Sequence, residues 1–320
     1  MVTPDYYDKF KCIGGECRHN CCEGAWEIEV DDEALDRFGK IGGEFGARVM
    51  ASVDDNGVFI RQNGRCPLLS GDGWCEMVQN GHKLCIICDE YPRFTEYYDD
   101  YAERGISLSC EAAAEIILAN TEKVTLCGES GKCEDDLFKL LYSARNDIFA
   151  ILQDRDIDIF KRIRLALDYG VRLQDRINDN DFSAFSYQPQ DKTQNNGDMS
   201  VLFGFLAELT TLSDDWADKL KSAKFPEKID RIQTEQLCVY FVYRYFLKAF
   251  YDCDALSKLK LMAISVITVL SLSDVCGGIL ESARLYSVEV EHNEDNIDAI
   301  YDEFLFNDDL SIEKIIGMIK

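Results

Sequence analysis

Several common signatures are missing from this chain of 320 residues. No G-x-G-x-x-G run opens a helix, so the usual dinucleotide-binding route to a nucleotide cofactor is unsupported. The stretch Ile41-Gly-Gly-Glu-Phe-Gly46 lacks the Lys-Ser/Thr ending of a phosphate loop, and no strong apolar strand precedes it, so it reads as a turn. The start, Met1-Val-Thr-Pro-Asp-Tyr-Tyr7, has no basic region followed by an apolar one, so no secretory signal is expected. The longest apolar run, Leu261 to Leu272, is too short to span a bilayer and reads as a buried helix. No repeat of fixed period occurs. Basic residues are also scarce: 34 Lys and Arg stand against 59 Asp and Glu, a net charge of −25. That excess argues against nucleic acid and against an anionic membrane surface. It suits a cationic, lysine-bearing protein partner, or solubility alone.

Cysteine is abundant. With no secretory signal the expected compartment is the bacterial cytoplasm, where the fourteen cysteines stay thiols or bind metal. Cys12, Cys17, Cys21 and Cys22 fall within eleven residues. Adjacent cysteines such as Cys21 and Cys22 rarely bridge each other, because a disulfide needs its Cα atoms farther apart. Cys66, Cys75, Cys85, Cys88 and Cys110 follow in short loops. Only Cys85-Ile-Ile-Cys88 has the spacing of a zinc knuckle, and its apolar middle lacks the usual turn residues. The run C-x4-C-x3-C-C matches neither ferredoxin pattern, nor the C-x3-C-x2-C of radical enzymes. Spacing points to a metal centre and leaves iron and zinc open.

The region from 1 to about 110 is rich in loops, with few long apolar faces. Ala25–Val30 alternates like a short strand, and Asp31 is placed to cap a helix running through Leu35 and Phe38. Beyond Glu111 helical periodicity takes over, in blocks near 111–119, 134–153, 156–177, 200–222, 227–251, 255–273, 279–286, 293–305 and 310–319. The polar stretch 183–199 reads as a loop or linker. The expected fold is mainly α. A loop-rich, metal-binding cysteine-cluster module with a little β (1–125) packs on an α-helical body (126–320).

The residues resemble the flagellin lysine-N-methylase family, within a wider set of zinc- or iron-chelating cysteine-cluster proteins. The resemblance rests on Cys12-x4-Cys17-x3-Cys21-Cys22, Trp26-Glu-Ile28, Cys66-Pro-Leu-Leu69, Gly73-Trp-Cys75, Cys88-x-x-Tyr91-Pro-Arg93 and Ser107-Leu-Ser-Cys110. It continues in Glu235-Gln-Leu237, Tyr243-Arg-Tyr-Phe246 and Tyr286 to Asn296. It implies methyl transfer from S-adenosylmethionine to protein lysines, flagellin being the family's substrate, with an iron–sulfur cluster, 4Fe-4S, in the enzyme. By position the cluster cysteines are Cys12, Cys17, Cys21, Cys22, Cys66, Cys75 and Cys88, with Cys110 in a similar block. The chain departs from the family pattern at Ala25, Leu68, Glu111 and Asn293, and none of these removes a thiol.

Glu291 and His292 are the candidate catalytic residues, to be weighed against a solvated helix face. Tyr91 and Arg93 are the candidates for cofactor binding, with a structural salt bridge of Arg93 as the alternative. His19 and His82 lie among the cysteines as ligands, supporting donors or plain loop residues. Cys85 reads as core. Cys127 and Cys133 flank glycines and could form a second small site, while Cys238, Cys253 and Cys276 read as core thiols. Two other functions fit the same residues: a non-catalytic zinc- or iron-chelating protein, and an iron–sulfur redox or sensor protein.

Overall fold

The structure is a computed structural model that describes residues 1–24, 26–183, 186–190 and 197–319. Ala25 and, within the stretch 183–199, residues 184–185 and 191–196 lie outside the described residues. The chain is mainly helical, and the expected helical blocks form with their ends trimmed by a few residues. Aspartate side chains start many of them. Asp31, Asp135, Asp158, Asp198, Asp230 and Asp254 each accept hydrogen bonds from the first free backbone N–H groups of the helix that follows. Part of the acidic excess thus has a local structural task.

The centre of the body is the helix Ala255–Cys276, buried along nearly its whole length. Around it pack Ile159–Asn178, Trp216–Ser222, Arg231–Tyr245, Ile279–Tyr286, Glu294–Phe306 and Ile312–Met318. At 22 residues it is longer than the apolar run within it, and by length and composition alone it could cross a membrane. Its burial on all sides, not shortness, marks it as a core helix. The buried arginines of this core are matched by carboxylates. Arg145 and Glu103 form a two-pronged pair at 2.6 Å on each arm, and Glu235 takes Arg162 at 2.7 Å and Arg155 at 2.9 Å.

A second, smaller core gathers Ile28, Phe38, Val49, Phe59, Leu68 and Met77. Residues 2–10 and 98–124, by contrast, contribute to the large core. The link between the two is a hairpin, Arg93–Tyr98 with Tyr101–Ile106, whose register runs from Arg93↔Ile106 to Tyr98↔Tyr101. Phe94 lies over Gly105 across the strands, where a Cβ would collide with its ring. The hairpin places Tyr91-Pro92 beside Ser107–Cys110, and Ser107 N donates to Pro92 O at 2.9 Å. Cys88 and Cys110 are thereby brought to the same end.

Some expectations are corrected. Gly43–Ala51 is a helix rather than a turn, with Gly46 packed so closely on Ile41 that no side chain fits there. Val30 and its neighbours form no regular strand, only an isolated bridge of Glu29 with Val58. The block 200–222 is two helices, Met199–Leu206 and Trp216–Ser222. Cys253 is exposed in a left-handed turn at a helix end, not in the core.

Candidate metal centre

The cysteine loops are shaped by contacts distant in sequence. Trp74 lies flat on Gly14-Gly15, and Gly14 has a φ of +52°, so neither position accepts a larger residue. The loop between Cys12 and Cys17 is therefore moulded on the tryptophan beside Cys75. Cys66 N donates to Cys22 O at 2.7 Å, and Asn20 both bonds Gly73 O and caps the turn at Cys21–Glu23. Glu111, one of the departures from the family pattern, accepts from Arg18 Nε at 2.6 Å, from Arg18 N at 2.8 Å and from His19 N at 3.3 Å. It fastens the Cys17 loop to the helix Glu111–Leu118, whose first turn follows Cys110. Burial opposes its ionisation, but these donors outweigh it and hold its pKa below the usual range.

These contacts bring all eight expected cysteines to the walls of two adjoining cavities of about 320 and 360 Å³. Cys17 and Cys110 line the first, Cys66 the second, and Cys12, Cys21, Cys22, Cys75 and Cys88 line both. Cys85 joins the second, so the thiol read as core from sequence is both buried and part of the wall. All fourteen cysteines are free. As the side chains stand, no three Cys, His, Asp or Glu among the described residues converge tightly enough to hold a metal ion. The thiols share walls rather than one coordination shell.

Their electrostatics follow from that crowding. Burial, then the neighbouring Cys110, Glu111 and Cys12, push Cys17 up to about 12. A hydrogen bond with Cys21 and burial push Cys22 up to about 12 against the opposing effect of Cys66. Cys85 and Cys88 are hydrogen-bonded to each other: that bond draws Cys85 down to about 7 and, with burial, raises Cys88. A cation in the cavity would reverse these upward shifts, since a coordinating thiol loses its proton outright. A cluster of soft donors that repel one another as thiolates fits zinc or iron–sulfur better than a hard cation.

Three rings also line the second cavity. Trp26 and His292 lie 5.0 Å apart, Trp26 and Tyr91 5.8 Å, and Tyr91 and His292 6.0 Å. Tyr91, a cofactor candidate, and His292, a catalytic candidate, thus meet although they stand 201 positions apart in sequence. The chain is similar to a lysine-N-methylase. The match is to the enzyme of that name from Salmonella typhimurium, 25% identical over 141 residues, which is 39% of this chain and 34% of that protein. It spans about a third of the relative's length. No family model and no solved structure matches.

The remaining candidates separate. Glu291 is not on a solvated face. It ends a π-helical turn, Ser287–Glu291, fully buried, with Arg244 Nε at 3.0 Å and the hydroxyls of Tyr245 at 2.9 Å and Tyr240 at 3.1 Å donating to it. It is a partnered charge that anchors the turn before His292. Burial, then Arg244, pull His292 down to about 4. His292 is nonetheless an exposed residue, which tempers the shift; the direction leaves a neutral ring at neutral pH. Arg93 lines the first cavity, lies 5.1 Å over Phe10 and pairs with no carboxylate among the described residues. His19 lines the same cavity and reaches Glu281 at 3.0 Å, whereas His82 stacks on Phe45. Cys133 donates to Asp99 and Cys127 is exposed, so they do not build a second site.

Trp26 and Ser109 stand in sequence only as letters of motifs; in the fold the Ser109 hydroxyl shares a 3.1 Å hydrogen bond with Tyr91 and continues through Ser107 to Ser287. A signal was present for Trp26. The chain has three tryptophans, and two of them sit within a few residues of cluster cysteines.

Proposed function

We propose that the chain transfers a methyl group from S-adenosylmethionine to lysine side chains of a protein, in the bacterial cytoplasm, with an iron–sulfur cluster among its cysteines. The observation that carries this reading is the meeting of eight expected cysteines with Trp26, Tyr91 and His292 around adjoining cavities, in a chain similar to a lysine-N-methylase. Three or four of Cys12, Cys17, Cys21, Cys22, Cys66, Cys75, Cys88 and Cys110 would supply the cluster's thiolates, and Cys85 stands in the same wall. When bound, such a cluster supplies iron positions able to take amino and carboxylate groups.

The chain's own residues define the rest. The ring faces of Trp26 and Tyr91 favour a positively charged sulfonium through their π-electrons. Phe38, Phe59 and Leu68 keep water from the second cavity, which lowers the pKa of a lysine ammonium entering it. His292, neutral, presents a ring nitrogen able to accept a hydrogen bond from that amine. The ammonium gives up its proton to solvent and the neutral amine attacks the methyl carbon; a C–N bond forms as the C–S bond breaks, and S-adenosylhomocysteine leaves. Flagellin is the first protein to try.

The test is metal and sulfide content after anaerobic purification, with visible spectra before and after S-adenosylmethionine and mass spectrometry of a lysine substrate. Iron with sulfide, a shifted spectrum and a 14 Da gain per methyl are expected. Colourless protein with zinc overturns the iron assignment. The small size of the core formed by residues 28–88 favours a second reading, in which metal serves only to fold this region; it expects metal with no binding of S-adenosylmethionine.

A further inference from the structure

We infer that the apolar lip made by Val78, Ile86 and Ile87, with the acidic stretch Glu27–Asp36 beside it, is where a lysine-bearing protein segment docks, the lysine flanked by apolar residues. The inference rests on the methylase reading. Val78, Ile86 and Ile87 are 47%, 59% and 42% exposed, an unusual outlay of aliphatic surface. They are not scattered. Val78 lines both cysteine cavities, Ile87 lines the second, and Ile86 precedes Ile87 on the short helix that carries Cys88.

The acidic stretch is held against that lip. Asp31 Oδ2 accepts from Ile86 N at 2.8 Å, and Arg37 Nη2 donates to Leu84 O at 3.0 Å. Between Glu27 and Asp36 stand six carboxylates and no Lys or Arg, and five of the six are exposed. The nearby cations are fewer. Arg37 is turned to Leu84 O and Glu33, Arg61 to the carbonyls of Gly24 and Gly64, and Lys83 points to solvent. An apolar lip at the mouth of a cavity, flanked by carboxylates, complements a cationic side chain set among aliphatic ones. The carboxylates steer it, and the lip holds its neighbours while the amine enters.

The test uses the full chain, purified anaerobically, and a fluorescein-labelled peptide with one lysine between leucines, read by anisotropy. Two double variants are compared, Val78→Ser with Ile86→Ser and Asp32→Lys with Glu33→Lys, each checked by circular dichroism. The serine pair should weaken binding about tenfold. The lysine pair should weaken it about fivefold in low salt, and less as salt rises. An acetyl-lysine peptide should bind more weakly than the lysine peptide. Absence of binding to the unaltered chain overturns the inference, as does unchanged affinity in both folded variants. Methyl transfer followed in parallel separates the two ideas. Lip-dependent binding without methylation leaves the docking surface standing and removes the methylase; methylation indifferent to both variants does the reverse.

Discussion

The helical body and the thiol-lined region treat buried polar groups in opposite ways. In the body the buried arginines meet buried carboxylates: Arg145 with Glu103, Arg162 with Glu235, Arg244 with Glu291. In the thiol-lined region like faces like, and burial together with neighbouring thiols raises Cys17, Cys22 and Cys88. The body's stability is therefore intrinsic to its packing, whereas the other region has a small core and donors that gain most from a shared cation.

The strongest way to break this comparison is to remove the thiols. Cys21→Ser with Cys22→Ser should lower metal affinity by more than about a hundredfold and abolish methyl transfer, while far-UV circular dichroism keeps the helical signal. Collapse of that signal would show that the body leans on the cysteines. Next comes Arg244→Met, which strands Glu291 and should cost about 3 to 5 kcal/mol in urea unfolding. A neutral result would mean that the tyrosine hydroxyls alone hold the carboxylate.

A third test sharpens the contrast from within the body. Lys260 is 5% exposed and bonds only Phe304 O, at 3.2 Å, and burial lowers its pKa from 10.5 to about 8. Between those values the unfolded chain binds more protons than the folded one, so stability rises with pH across that window and the full penalty applies below it. Lys260→Met should stabilise at pH 7 by about 2 kcal/mol, and the gain should vanish near pH 10.5. A pH-independent gain would locate the effect in packing instead. The smallest effect is expected from Glu111→Ala, about 1 kcal/mol, read together with faster labelling of Cys17 and Cys110 by a maleimide. Unchanged labelling would show that Trp74 suffices to hold the loop.

The helices were legible because their apolar positions recur at helical spacing and an aspartate precedes many of them. The cysteines that reach the cavities were legible from their number and closeness. The hairpin Arg93–Ile106 was not: its strands mix charged and aromatic residues, and it turns at Asp99-Asp100 rather than at an Asn-Gly pair. Gly43 and Gly46 disguised a helix as a turn. Glu291 looked solvated because it stands among other acids, and only the fold brings Arg244, Tyr240 and Tyr245 to it. The meeting of Trp26, Tyr91 and His292 depends on packing across the whole chain, which local pattern does not encode.

The central helix Ala255–Cys276 has a consequence for synthesis. Three of the helices that cover it, Ile279–Tyr286, Glu294–Phe306 and Ile312–Met318, follow it in the chain. While the ribosome is still making them, a segment greasy enough for a bilayer is without much of its cover. Lys258 and Lys260 near its start make it a poor guest for the translocon. A stop codon after Cys276 would leave that segment bare for good, and such a product should be bound by chaperones or degraded rather than accumulate.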